Sequence, residues 1–312
     1  MNAPSDRPRV LLIVGSGRSG STLLERALGG VPGVAALGEV VHLWERAVRD
    51  DELCACGESF HACPFWAGVG KRAFGDWSRV GAVSLIDARH AVVRTRRIPQ
   101  LLTSSPSASW RAQRDLLRAD YCAVLRAAQE ESGARLLVDS SKIPAYAALL
   151  MRGDIDLYCL EVVRDPRGVA NSLRKSVVRP EAADESLMYR TGVAKSALWW
   201  SAFDVLTTGL STVGRVPFTS VRYEDFVADP RGTIGQVLDF ARLPCSAADL
   251  DHVRGDRLVL GPNHQVAGNP IRFRTGEVAI RRDEAWRDQL TPGEQRTALA
   301  LTTGLRHRHG YR

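Results

Sequence analysis

No apolar stretch in this sequence reaches membrane-spanning length without charges, and a spanning helix needs about 20 apolar residues. The apolar run after the polar N-terminus, Val10 to Val14, is also too short for the core of a secretion signal. The reading is therefore a cytoplasmic chain without a transmembrane segment, with peripheral membrane contact left open. Internal repeats and low-complexity tracts are missing as well, which argues against solenoid and disordered architectures. So are RNP, zinc-finger and helix-turn-helix signatures, so a net charge of +7 and a pI near 9.3 do not make the chain a nucleic-acid binder. That charge suits any polyanion, a multiply charged nucleotide included.

What is present fits a globular α/β protein. Of 312 residues, 45% are hydrophobic and 25% charged, enough for one sizeable core. Arg9 to Val14 is a short, β-branched run that reads as a buried strand. Val34–Leu37, Arg135–Asp139, Asp156–Val163 and Pro217–Val221 read the same way. Helical patterns fall between them at Ser21–Leu28, Pro166–Ser176, Val193–Leu206 and Thr233–Ala241. Alternation of this kind predicts a three-layer, P-loop-like parallel sheet flanked by helices. Residues of about 44–133 read as a mostly helical, cysteine-containing insertion in a single domain spanning 1–312. The stretch from Leu258 to Arg282 reads as loop, and Thr291 to Arg308 as one closing helix.

Gly15-Ser16-Gly17-Arg18-Ser19-Gly20-Ser21-Thr22 follows the first strand and opens a helix. Such a loop aims backbone N–H groups, and the positive end of the helix, at phosphate oxygens. Against the triphosphate-binding pattern G-x-x-x-x-G-K-[ST] the glycines match at Gly15 and Gly20, but Ser21 stands at the lysine position. The missing lysine weakens a kinase or ATPase reading. Arg18 supplies a cation instead, with a planar fork suited to a 5′-phosphate.

The loop resembles the 5′-phosphosulfate loop of sulfotransferases, in the R-S-G-S/T-T form of the tyrosylprotein and bacterial carbohydrate branches. Val162-Val163-Arg164-Asp165-Pro166-Arg167, continuing to Ser172, resembles that family's 3′-phosphate segment, with Arg164 and Ser172 eight residues apart. Ser220 to Phe226 resembles its R-Y-E-D-L/F stretch, which implies that Tyr223 lies near the adenine. His264 to Phe273 resembles a bacterial tail segment, which implies that Arg272 or a neighbour approaches the 3′-phosphate. The resemblance implies 3′-phosphoadenosine 5′-phosphosulfate (PAPS) as donor, held by Gly17, Arg18, Ser19, Gly20, Ser21, Thr22, Arg164, Ser172, Tyr223 and Arg272. It implies a hydroxyl acceptor on a small molecule, sugar or lipid, and neither nucleic acid nor a required metal. A P-loop small-molecule kinase is the alternative, with Asp139 as the tempting magnesium ligand.

Sulfuryl transfer needs a base for the hydroxyl proton and cations for the charge that develops on the sulfuryl and leaving oxygens. Glu39, in Leu37-Gly38-Glu39, matches the family's glutamate base, and burial is expected to raise its pKa. His42 is the rival base. Lys142, in the turn after Asp139, is the candidate for leaving-group stabilisation, shared with Arg18. Separately, Cys54, Cys56, His61 and Cys63 form C-x-C-x₄-H-x-C, a donor set that suits zinc. The spacing is not that of a standard finger, so no metal is assigned.

Overall fold

The computed structural model describes residues 7–103, 107–181, 187–214 and 216–312. Five parallel strands, β1 (Arg9–Val14), β2 (Val34–Gly38), β3 (Leu136–Lys142), β4 (Asp156–Val163) and β5 (Phe218–Arg222), form one sheet. Their order is β2-β3-β1-β4-β5, with β1 at the centre. All five lie where the β-branched and leucine runs predict them.

The pleat of β1 sorts its side chains between two cores. Leu11 and Ile13 face the helix α1 (Ser21–Leu28) through Leu24 and Leu28. Val10, Leu12 and Val14 face the other layer, which includes Trp44, Trp66, Tyr121 and Leu125 of the insertion. Each fully buried aliphatic side chain of this kind contributes about 1.5–3 kcal/mol. The insertion opens with a π-helical turn, Leu43–Arg49, and continues in α2 (Pro64–Phe74), α3 (Ala82–Val92), α4 (Ile98–Leu102) and α5 (Ala108–Ser132). The Ser107 hydroxyl caps α5 by accepting from the Trp110 amide, and Gly133, at φ 62°, ends it. The insertion thus shares one face of the sheet with residues 145–150 and Leu210.

After β3 come α6 (Pro144–Leu150), α7 (Pro166–Arg174) and α8 (Val193–Val213), then α9 (Tyr223–Ala228) and α10 (Pro230–Phe240) beyond β5. Asp165 caps α7 through the Arg167 amide with Pro166 in the first turn, as the sequence predicts. No described helix is long and apolar enough to cross a membrane.

Two expectations about the C-terminal part are corrected. Loop was expected across 258–282, but β6 (Val253–Arg254), β7 (Arg257–Leu260) and β8 (Gly276–Ala279) form an antiparallel three-stranded sheet. Leu258, Leu260 and Val278 anchor it in the α1-side core. The expected single closing helix is instead α12 (Pro292–Leu301) and α13 (Leu305–Arg308), preceded by a short α11 (Trp286–Gln289). Gly304, at φ 85°, breaks the run between them.

Candidate active site

The carboxyl edge of the sheet carries the site, as in other open α/β sheets. Gly20 adopts φ 84°, and a Cβ there would lie 2.5 Å from Tyr223 Cδ2. Glycine is therefore required at this position both by conformation and by the closeness of the ring. Gly20 caps α1 without any side-chain hydrogen bond. The first-turn amides of α1 have no intrahelical acceptors and face the space beyond the helix end. Arg18 also sits in the left-handed region, at φ 67°, which arginine seldom occupies. Burial lowers the Arg18 pKa, and the Glu39 carboxylate offsets part of that.

Beyond the loop lies a cavity of about 330 Å³. Gly17, Arg18, Gly20, Ser21, Thr22, Glu39, Lys142, Arg164, Ser172 and Tyr223 all line it. Residues separated by some two hundred positions are thus brought to one place. Leu23, Leu173, Met188, Tyr189, Asn269 and Ile271 complete the wall. A larger, more open depression of about 620 Å³ lies near Arg174, Lys175 and Arg190, but it holds none of the phosphate-loop residues.

Two residues assigned to the donor do not line the cavity. Ser19 is fully buried, and its hydroxyl has no hydrogen-bond partner among the described residues. Arg272 is also fully buried, donating to the carbonyls of Leu53 and Gln265 with its guanidinium against the Phe273 ring. The placement of Arg272 by a 3′-phosphate is corrected accordingly: its neighbours Asn269 and Ile271 reach the cavity, while Arg272 ties the tail loop to the insertion.

Glu39 is fixed through the backbone around it. Its amide donates to Val266 O at 2.8 Å, and the Gly38 amide donates to Glu25 Oε1 at 2.7 Å. The Val41 amide donates to Ser141 Oγ at 2.9 Å. Lys142, itself at φ 66°, donates from Nζ to Glu39 Oε1 at 2.6 Å and to Ser140 O at 2.8 Å. His42 Nε2 lies 3.7 Å from Glu39 Oε2. Burial alone pushes the Glu39 carboxyl up, as the sequence reading expects. Lys142, His42 and Arg46 outweigh it, and the net effect holds Glu39 below the ordinary range. The expected upward shift is thus reversed by a lysine from a different strand.

Arg164, at the end of β4, is only 6% exposed. Its guanidinium donates to Arg18 O at 3.2 Å and Asp283 O at 3.0 Å, pairs with Asp283 Oδ2 at 3.0 Å, and lies 4.7 Å from the Tyr223 ring centre. The Tyr223 hydroxyl donates to Arg281 O at 2.8 Å. Arg281 and Asp283, which the sequence did not single out, therefore brace the cavity residues Tyr223 and Arg164. Asp139 is wholly buried, accepts the Ser141 amide at 2.9 Å and is pushed up to about 7 by burial. It does not line the cavity, so the carboxylate that a magnesium-dependent kinase would use is turned inward.

Fold and site together present a P-loop-like edge at which a glycine turn, Arg18, Lys142 and Arg164 line one cavity. Among solved structures the chain is similar to the sulfotransferase domain of the curacin biosynthetic pathway, with TM-score 0.50, 18% identity and coverage of 98% of both chains. It is also similar to the sulfotransferase domain of the Synechococcus PCC 7002 olefin synthase, with TM-score 0.49 and 21% identity, covering 100% of this chain and 98% of that one. No curated protein sequence matches it. The sulfotransferase family profile matches residues 9–247, and the chain belongs to that family of PAPS-dependent enzymes.

Proposed function

We propose that this enzyme moves the sulfuryl group of PAPS to a hydroxyl of a small acceptor by in-line displacement, with Glu39 as general base. The observation that carries the reading is the 2.6 Å Glu39–Lys142 pair, set in one cavity with the phosphate loop. The residues fit the donor's chemistry. Open amides at the start of α1 and Arg18 suit the 5′-phosphosulfate, Arg164 and Ser172 suit a 3′-phosphate, and the Tyr223 ring suits a purine face.

In this mechanism Glu39, held ionised by its neighbours, accepts the acceptor's hydroxyl proton as the new O–S bond forms. Lys142 exchanges its contact with Glu39 for the bridging oxygen released when the old S–O bond breaks, and Arg18 shares the charge on the departing phosphate. Adenosine 3′,5′-bisphosphate leaves. The cations supply the electrostatic stabilisation that magnesium gives to phosphoryl transfer. Met188 and Tyr189 lend one wall an apolar and aromatic surface, and Tyr189 stacks on Trp199 at 5.3 Å. This surface supports an acceptor that presents a sugar ring or an apolar chain beside its hydroxyl.

The test is donor preference followed by transfer. Adenosine 3′,5′-bisphosphate should raise the melting temperature more than ATP–Mg²⁺, and ³⁵S from labelled PAPS should appear in an acceptor without added Mg²⁺. Stabilisation by ATP–Mg²⁺ alone, with turnover dependent on Mg²⁺, would replace this reading with the kinase.

A further inference from the structure

The cysteine cluster noticed in the sequence closes in three dimensions, but with a different histidine. His61 Nε2 lies 3.0 Å from Val48 O, away from the sulfurs. His264, from the tail loop, takes its place. The sulfurs of Cys54, Cys56 and Cys63 and a ring nitrogen of His264 all lie within 4.8 Å of one another. Cys63 Sγ is 3.3 Å and Cys54 Sγ 3.9 Å from His264 Nδ1, and Cys56 Sγ is 3.7 Å from Cys63 Sγ. Zinc with Zn–S of about 2.3 Å and Zn–N of about 2.0–2.1 Å gives a tetrahedron with edges of about 3.5–3.8 Å. The three distances of 3.3, 3.7 and 3.9 Å lie near those edges, and every other pair is within 4.8 Å. No disulfide joins these cysteines, and 3.7 Å is far beyond a sulfur–sulfur bond.

We propose that Cys54, Cys56, Cys63 and His264 bind one structural zinc ion that pins the tail loop to the insertion. The surroundings hold the ligands in place. The backbone amides of Cys56, Glu58 and Trp66 hydrogen-bond the sulfurs of Cys54, Cys56 and Cys63 in turn. Phe65 stacks on the His264 ring with centroids 5.1 Å apart, and Trp66 Nε1 donates to the His264 backbone carbonyl at 2.7 Å, so both the ring and the backbone of this residue are held. Cys54 and Cys63 are fully buried. Four protein ligands leave no open position, so the ion takes no part in the transfer chemistry.

Its consequence lies two residues further on. Val266 donates to Leu37 O at 2.9 Å and accepts from the Glu39 amide at 2.8 Å. The Ala55 amide binds Gln265 O at 3.1 Å. Zinc at this place would fasten to the insertion the tail segment that holds the Glu39 amide through Val266 and carries the wall residue Asn269.

The test uses the full chain purified under reducing conditions without chelator. Elemental analysis should find about one zinc per chain. Replacement by Co²⁺ should give the visible d–d bands of a tetrahedral site and thiolate charge transfer in the near ultraviolet. Cys56→Ser, at a half-exposed ligand, should lose the metal, His264→Cys should keep it, and Cys122→Ser, remote from the cluster, should not change it. A wild-type chain that holds neither zinc nor cobalt would overturn the proposal, as would a Cys56→Ser variant that binds as much zinc as wild type. The measurement on the wild-type chain decides even if a variant fails to fold. None of these readouts uses PAPS, so the result is independent of the donor and base assignments.

Discussion

The two ends of the donor cavity are built on different principles. At the phosphate-loop end the recognition elements are backbone: the glycine turn, the uncapped start of α1 and a loop arginine in a left-handed conformation. At the Arg164 end they are side chains that already have partners, since Arg164 is engaged by Arg18 O, Asp283 and the Tyr223 ring. The first end is a mould whose shape exists before any ligand arrives. At the second, Asp283 offers Arg164 the same chemistry as a phosphate, an anionic oxygen within hydrogen-bond reach. On the proposed reading, binding there would be an exchange of anions, its net strength the difference between two similar contacts. Shape and exchange should therefore respond differently to mutation.

The largest effect should come from Glu39, which lines the same cavity and, on the proposed reading, serves chemistry more than binding. Glu39→Gln should cut kcat by ~10²–10⁴-fold, with affinity for adenosine 3′,5′-bisphosphate nearly unchanged. His42→Ala should lower acceptor binding at most, and a dead His42 variant beside an active Glu39 variant would transfer the role to His42. Next come the cations. Arg18→Ala and Arg164→Ala should each weaken bisphosphate binding by about 1.5–3 kcal/mol, measured by calorimetry. Unchanged affinity in both would remove the donor assignment.

The comparison itself is sharpened by Asp283→Asn. Removing the competing carboxylate should tighten bisphosphate binding a few-fold, because a partly exposed pair is worth about 1 kcal/mol or less. Weaker binding would show that Asp283 organises the closing loop instead of competing with the ligand. The gentlest effect concerns pH. Burial pushes Glu25 and Glu161 up to about 8 and Asp139 up to about 7. In the unfolded chain these groups ionise at ordinary values, so the folded state binds more protons in the interval between. Their contribution is full below the ordinary pKa and is lost as pH rises toward about 8. Melting temperature should fall over that interval, and Glu25→Gln should flatten the slope.

The strands and the phosphate loop were legible because their signals are local. Val10–Val14 is continuous and apolar, Gly15 and Gly20 mark the turn, and Asp165-Pro166 announces α7. The features that escaped depend on distance in the chain. The downward shift of Glu39 comes chiefly from Lys142, on another strand. His61 satisfied the spacing rule, yet His264, two hundred residues on, satisfies the geometry. Arg272 carried the right charge in the right segment, but its guanidinium turned to backbone carbonyls of the insertion. Strands β7 and β8 are only four residues each and depend on tertiary burial of Leu258 and Val278, which local periodicity does not encode.

The pairing of Val266 with Leu37 and Glu39 also sets an order of events during synthesis. A ribosome-bound chain that has emerged through β5 has every strand of the parallel sheet, the phosphate loop, Glu39 and Lys142. It still lacks the carbonyl that receives the Glu39 amide and the loop that brings Asn269 to the cavity. The same holds for a fragment cut at residue 247, where the match to the family ends. On the proposed reading, such a nascent chain would have the parts to hold a nucleotide before Glu39 is fixed in place, and turnover would wait on the segment around Val266 folding back across the first strands to appear.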